Sequence, residues 1–233
     1  MTKHEALIVV LLTAAAVLAA ACKPFPGRRP QDAVVAEPDA MTDFNVLYGV
    51  NCAGCHGPDG KGGAARGLAD PVFLQIANEA TIRRVTSGGV PGTAMPAFAK
   101  TAGGALTNQQ IDAIVRGMQL SWARVAGASD LNPPPYSTAT AGDPKRGGDA
   151  FVMFCSRCHG ADGRGGQGFQ GASAIVDASY LSLVSDQGLR TTVIAGRPDL
   201  GAPDWRGNLP GRPMSSEEVS DVVAWLASKR PQG

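Results

Sequence analysis

The chain has 233 residues, enough for one or two domains, and its 21 Lys and Arg side chains balance 20 Asp and Glu side chains. A formal net charge of +1 provides no strong positive field, so nucleic acid is not expected among the partners. With only 6% aromatic residues, two small domains would have little apolar core of their own.

The first 22 residues predict an export segment. Residues 6–21 form an uncharged apolar run, which suits the core of a signal peptide better than a membrane span of about 20 apolar residues. Small residues precede Cys22 in a pattern that resembles a bacterial lipoprotein cleavage site, although Ala19 stands where Leu is usual. We therefore expect Cys22 to be lipidated and the rest of the chain to lie on the periplasmic side of a bacterial membrane. The alternative is an uncleaved anchor or an ordinary signal peptide, with Cys22 incidental.

Residues 23–40 predict a flexible tether that holds the first domain off the membrane. They are rich in Pro, Arg and Ala and show no apolar periodicity.

Two copies of Cys-x-x-Cys-His, at residues 52–56 and 155–159, carry most of the chemistry in the sequence. Two thiols three residues apart lie on one side of a helical turn, where both can bond the vinyl groups of one porphyrin. The following His can then reach the iron from one face. This is the attachment signature of c-type haem. Zinc sites and thioredoxin-like redox pairs also use Cys-x-x-Cys, but neither explains a His directly after each second Cys.

The motifs therefore predict two covalently bound haem c groups as cofactors. The candidate attachment residues are Cys52, Cys55, Cys155 and Cys158, and the candidate proximal iron ligands are His56 and His159.

The two halves of the chain form an internal repeat. Residues 79–98 align without gaps onto residues 186–205. The repeat predicts one domain at 41–128 (domain 1) and a second at 143–233 (domain 2), joined by a semi-rigid, Pro-rich linker at 129–142.

Each predicted domain closes with an amphipathic helix. The first follows Thr107 and the second follows Ser215. Gln110 or Glu218, three residues further on, completes a capping box in each case.

The order of these features is helix, haem motif, Gly-rich loop, middle helix, Met-Pro loop and capped last helix. This order is similar to class I cytochrome c, twice over, across about residues 41–124 and 143–230. The resemblance implies an all-α fold of two tandem class I cytochrome c domains, each wrapped around one covalently bound haem c. It also implies that the first and last helices of each domain cross, with a small residue against an aromatic one.

At this predicted crossing, domain 2 offers Gly147 and Trp225, whereas domain 1 offers Phe44 and Gly117. The small residue is on the first helix in domain 2 but on the last helix in domain 1. This exchange would conserve the total side-chain volume at the crossing.

Arg83 and Arg190 occupy equivalent positions of the repeat. They are expected either to face the haem propionates or to lie on a solvated helix face.

The resemblance implies methionine as the second axial ligand, and a thioether sulfur raises the reduction potential relative to a second His. Met95 matches that position in domain 1. In domain 2 the aligned residue is Ala202, which cannot bind iron. The nearest candidate is Met214, which aligns with Leu106 just before the last helix, where a residue usually packs in a hydrophobic staple. We call the haems of domains 1 and 2 haem 1 and haem 2. The sixth ligand of haem 2 is therefore expected to be Met214, water or a distant side chain, or else its iron has an open sixth position.

These features predict a membrane-tethered dihaem cytochrome c that carries single electrons between respiratory or photosynthetic redox partners. The resemblance adds that such two-domain cytochromes serve as subunits of quinol-oxidising or oxidase complexes, so the expected partners are redox proteins or complex subunits. No catalytic residues are assigned, and no activity of the chain alone is expected. The alternatives are a haem peroxidase and a ligand-binding sensor, both using an open site on the second haem.

Overall fold

The structure, a computed structural model, describes residues 37–122, 131–165 and 174–231. Cys22, the predicted export segment and most of the tether lie outside these ranges. Within them, no helix is long and apolar enough to cross a bilayer.

The regular secondary structure of the described residues is helical, so the all-α prediction is confirmed. The helices lie in one compact unit, Asp39–Gly233. Those of domain 1 are α1 (Phe44–Asn51), α2 (Ala53–His56), α3 (Pro71–Ile76), α4 (Glu79–Gly88) and α5 (Asn108–Ser121). Those of domain 2 are α6 (Pro144–Phe154), α7 (Ser156–His159), α8 (Ala178–Leu183), α9 (Asp186–Ala195) and α10 (Ser216–Ala227). Short 3₁₀ turns lie at Pro38–Ala40, Pro58–Gly60, Lys100–Ala102 and Pro198–Leu200.

Polar side chains fix the starts of the longer helices by accepting backbone N–H groups that have no partner within the helix. Both predicted capping boxes form: Gln110 Oε1 accepts from Thr107 N at 2.9 Å, and Glu218 Oε2 accepts from Ser215 N at 2.9 Å. The other N-cap side chains that accept such a bond belong to Asp43, Asp70, Asn78, Asp143, Asp177 and Ser185.

The first and last helices of each domain meet at a glycine. In domain 1, a Cβ placed on Gly117 would lie 2.1 Å from the ring of Phe44. In domain 2, a Cβ placed on Gly147 would lie 1.9 Å from the backbone oxygen of Asp221 and 2.8 Å from Trp225 Cβ. The predicted exchange of large and small partners between the two domains is therefore confirmed.

A further aromatic contact completes the core of domain 1. Trp122, which follows α5, packs edge-on against Tyr48 and Phe44, with ring centroids 5.0 and 5.2 Å apart. In domain 2, Trp225 fills the corresponding place and stacks on Phe151 at 4.3 Å. The two tryptophans come from different positions of the repeat, so aligning the two halves does not reveal that they pack alike.

A buried carboxylate joins α6 to α10. Asp221 is 3% exposed and accepts hydrogen bonds from Asp143 N at 2.6 Å and from Arg146 Nε at 2.8 Å and Nη2 at 3.0 Å. Burial by itself would raise the pKa of Asp221. The hydrogen bonds from Arg146 and Asp143 outweigh burial and leave the pKa below its ordinary value.

We expect this carboxylate to make domain 2 sensitive to acid. A carboxyl group whose pKa is lowered in the folded state stabilises the fold above its unfolded pKa, and this stability is lost as pH falls through the folded pKa. The temperature of the thermal midpoint of domain 2, followed by far-UV circular dichroism, should therefore decrease as the pH is lowered into the acid range. Asp221→Asn should lower the midpoint at neutral pH and weaken its dependence on pH. Asp149→Asn, an exposed change on α6, should keep the wild-type slope; an unchanged slope in Asp221→Asn would contradict the assignment.

The described part of the linker packs onto domain 2. Arg190 on α9 is 5% exposed; its Nε donates to Pro135 O at 3.0 Å and its Nη1 donates to Ser220 Oγ at 2.9 Å. Arg190 therefore ties the linker to α9 and α10 and does not lie on a solvated face. Its counterpart Arg83 is more exposed and forms an ion pair with Asp112.

Candidate haem sites

The first Cys-x-x-Cys-His motif begins where α1 ends. Cys52 is the C-cap of α1, with its N–H donating to Tyr48 O at 2.8 Å, and the one-turn helix α2 follows directly. His56 N then donates to Cys52 O at 3.0 Å, and Cys55 N donates to the same oxygen at 3.2 Å. The two thiols and the His are therefore held within one helical turn.

The second motif repeats this backbone geometry. Cys155 N donates to Phe151 O at 2.8 Å, and both Cys158 N and His159 N donate to Cys155 O, at 3.2 and 3.0 Å. The glycine after the His has φ of 75° at Gly160 and 79° at its counterpart in domain 1, a backbone conformation that L side chains rarely adopt. The structure thus brings together the residues predicted for each attachment site.

His56 is oriented by the loop that follows it. Its Nδ1 lies 2.8 Å from the carbonyl oxygen of Arg66, the kind of backbone contact that holds ligating histidines. Burial lowers the pKa of His56, which favours the neutral ring. With the proton on Nδ1, Nε2 keeps the lone pair that an iron needs. No feature of the sequence singled out Arg66 as the residue whose carbonyl orients His56.

The first thiol of each motif has the wrong electrostatics for a thioredoxin-like redox pair. Burial, with the neighbouring Cys55 as a smaller cause, raises the pKa of Cys52 to about 11. Burial likewise raises the pKa of Cys155 to about 12, with Cys158 as the smaller cause. A thioredoxin-like pair needs a thiol with a lowered pKa. In the part of the chain that the structure describes, no three His, Cys, Asp or Glu side chains are grouped to hold a metal ion.

The residues fit one covalently bound haem c in each domain. Each donor set is a pair of thiols within a turn and one His, which matches the covalent and axial needs of that cofactor. In domain 1, Arg66 Nη1 is buried and lacks a hydrogen-bond partner among the described residues. A donor is therefore left for an acidic group such as a haem propionate.

The loops that carry the expected sixth ligand follow the same path in the two domains. Gly89 has φ of 68° and its counterpart Gly196 has φ of 69°. A Cβ on Gly89 would lie 2.7 Å from Met95 O, and a Cβ on Gly196 would lie 2.7 Å from Ala202 O. Ala202 thus stands in the place that Met95 has in domain 1, as the repeat predicted.

Met214 is buried just before α10. It is 2% exposed, and its N–H donates to Trp205 O at 2.9 Å. In domain 1, Leu106 N donates in the same way to Phe98 O at 2.8 Å, so Met214 and Leu106 have equivalent places. The Met214 sulfur also lies 3.9 Å from Asn208 Nδ2, a polar contact on an otherwise apolar side chain.

Comparisons with known proteins agree with this geometry. Residues 39–116 match the family described as cytochrome c oxidase, cbb3-type, subunit III, and residues 144–229 match the family described as cytochrome c.

Curated relatives align with both halves of the chain. The cytochrome bc1 complex cytochrome c subunit of Mycobacterium tuberculosis is 28% identical over 229 residues, covering 94% of this chain and 74% of the relative. The subunit of the same name from Corynebacterium diphtheriae is 27% identical, covering 96% of this chain and 78% of the relative. The cbb3-type cytochrome c oxidase subunit CcoP of Rubrivivax gelatinosus is 28% identical, covering 70% of this chain and 46% of the relative. A solved chain of the reducing HAO-like protein complex of Kuenenia stuttgartiensis covers 81% of this chain and 96% of its own length at 18% identity, with a TM-score of 0.46.

The helical fold and the two thiol–imidazole sites define a c-type cytochrome. The chain belongs to the dihaem cytochromes c: it consists of two tandem class I cytochrome c domains with two covalently bound haem c groups, and its function is electron transfer.

Proposed function

We propose that this dihaem cytochrome is the electron-carrying subunit of a membrane complex that oxidises quinol, and that it passes single electrons to a further redox protein. The observation that carries the proposal is the alignment of nearly the whole chain with subunits named for the cytochrome bc1 complex. The match of residues 39–116 to an oxidase subunit family supports electron delivery inside a respiratory assembly.

In this proposal the thiols hold the two haems, each of which supplies one-electron redox chemistry when bound. His56 and His159 would each bind one iron through the imidazole, and Met95 would bind the iron of haem 1 through its thioether. The chain's own task is to keep the iron surroundings rigid, so that little rearranges when an electron arrives. The attachment residues are Cys52 and Cys55 for haem 1 and Cys155 and Cys158 for haem 2.

Met214 is proposed as the sixth ligand of haem 2. A side chain at Ala202 has no donor, whereas the Met214 thioether is buried and its sulfur already has a polar neighbour in Asn208. The Asn208 contact at 3.9 Å would hold the sulfur in one orientation.

Lipidation of Cys22 would keep both domains on the periplasmic face of the membrane. Residues 23–40 would then set how far the domains reach from the bilayer. Such a tether raises the effective concentration of the carrier at its partner complex.

Two measurements on the full-length holoprotein test the electron-carrier function. A redox titration with spectra resolved for each haem should show two one-electron steps. Stopped-flow mixing of the reduced protein with carbon monoxide should show only slow binding, because both irons already have six ligands. Fast binding at one haem would instead favour a peroxidase or a sensor and would overturn the carrier proposal.

Met214→Leu tests the ligand of haem 2. The substitution keeps the buried volume but removes the sulfur, so the Met–iron charge-transfer band of the oxidised protein should lose about half of its intensity. Carbon monoxide should then bind fast to one haem of the reduced variant. The matched control is Met118→Leu, a methionine that is 2% exposed in the core of domain 1 and should leave the band unchanged. A band of full intensity in Met214→Leu would show that this residue only packs.

A further inference from the structure

The two domains meet through the loop that follows the His of haem 1. Arg66 Nη2 of domain 1 donates to Gly196 O of domain 2 at 3.1 Å. In the opposite direction, Arg197 Nη2 of domain 2 donates to Gly63 O of domain 1 at 3.1 Å. These four residues form a junction in which each domain donates one guanidinium to a backbone carbonyl of the other.

The junction is closely fitted. Arg197 pairs with Asp199 at 2.6 Å, and the two side chains are only 18% and 19% exposed. A Cβ on Gly62 of domain 1, where φ is 104°, would lie 2.6 Å from Asp199 Oδ2. A side chain at Gly62 would therefore have to displace the Asp199 carboxylate from Arg197, whereas glycine leaves room for it.

Arg66 connects this junction directly to the iron ligand of haem 1. Its carbonyl oxygen lies 2.8 Å from His56 Nδ1, while its guanidinium lies over the ring of Phe73 at 5.4 Å and reaches Gly196. One residue thus touches the proximal His with its backbone and domain 2 with its side chain. Fixing the side chain also limits how far the carbonyl can move.

On the other side, Gly196 begins the loop that leads to Ala202. Arg197 N donates to Ala202 O and Ala202 N donates to Arg197 O, both at 3.0 Å, so two backbone hydrogen bonds join the ends of this loop. In domain 1 the equivalent loop carries Met95. In domain 2 the loop has lost that methionine and contacts domain 1 instead.

We propose that Arg66 is a positioning residue through which domain 2 fixes His56 and thereby couples domain 2 to the haem 1 site. The inference rests on the proposed role of His56 as a ligand. The hydrogen bond at Nδ1 sets how strongly an imidazole donates to its metal, so a looser Arg66 carbonyl changes the potential of haem 1. Coupling between sites is reciprocal, and the state of haem 1 acts on the loop of domain 2 in turn.

The test measures hydrogen exchange of the His56 Nδ1 proton by NMR in the reduced full-length holoprotein, with His159 as an internal reference. Arg66→Met keeps an apolar stem but removes the donor to Gly196. The rate of exchange at His56 should rise about tenfold, because one hydrogen bond that protects this proton from opening is lost. The rate of exchange at His159 should stay unchanged. Arg66→Lys, which keeps a charged donor, should restore most of the protection. Arg197→Met, a change in domain 2, should also speed exchange at His56 in domain 1.

Arg116→Met is the control for the loss of one positive charge. Arg116 lies on the exposed face of α5, so this variant removes the same charge from domain 1 at a place away from the junction. The potential of haem 1 should shift more in Arg197→Met than in this control; Arg66→Met is compared by His56 exchange alone, because it also removes the donor left for a propionate. Unchanged His56 exchange in Arg66→Met and Arg197→Met proteins that carry both haems would overturn the coupling alone. A wild-type mass without a haem on Cys52 and Cys55 would overturn the proposed function and the coupling with it.

Discussion

Replacing Cys155 and Cys158 together by alanine is expected to remove one haem from the protein and to unfold domain 2. Both thioether bonds that tie haem 2 to the chain are lost, and with them the covalent hold on the apolar group around which this small domain is wrapped. A domain of this size has a net free energy of unfolding of only about 5–15 kcal/mol. The most severe truncations of a single core side chain cost about 5 kcal/mol. The haem is larger than any core side chain, so we expect its loss to cost more than that. Mass spectrometry of the denatured protein should show one haem per chain, and circular dichroism should show the loss of the helices of domain 2.

The matched control changes the residues between the two thiols. Ser156→Ala with Arg157→Ala leaves Cys155, the N-cap of α7, and Cys158 and His159 within α7 unchanged, so both haems and the full helix content should remain. A double Cys→Ala variant that keeps two haems, or that keeps its helices with one, would contradict the role given to these thiols.

The local features of the fold could be predicted from the sequence, because each depends on residues a few positions apart. The turn that holds Cys52 and His56 is set by their spacing, and the capping box of Thr107 and Gln110 is set by a four-residue pattern. The crossing of Gly147 with Trp225 was also predictable, although only through the resemblance to a family whose helices cross at this point.

The contacts that join distant segments could not be predicted. The bond from Arg66 to Gly196 spans 130 residues and that from Arg190 to Pro135 spans 55, and neither arginine differs in sequence context from one on a solvated surface. The partner of a long charged side chain depends on which groups the fold brings within its reach, and the sequence around the arginine does not contain that information. The candidate site was therefore predictable in its thiols and histidines, whereas the carbonyl that orients His56 was not.

Gly147→Ala is expected to destabilise domain 2 strongly. The added Cβ would lie 1.9 Å from the backbone oxygen of Asp221, and a backbone atom inside α10 cannot turn aside as a side-chain tip can. The helices would have to separate, which would also loosen the buried hydrogen bonds between Asp221 and Arg146. We expect a loss of about 3 kcal/mol, the upper end for an overpacked core, and a fall in the thermal midpoint on the order of 10–20 °C.

Gly148→Ala is the control, because it adds the same methyl group to the next position of α6. Its Cβ would lie 3.2 Å from the side chain of Trp225, with no backbone atom closer, so the ring can shift by a few tenths of an ångström. The gain in helix propensity of about 0.5–1 kcal/mol should offset most of that cost. Thermal unfolding of the holoprotein, followed by circular dichroism, compares the two variants. Equal midpoints for both would contradict the tight packing of α6 against α10 at Gly147.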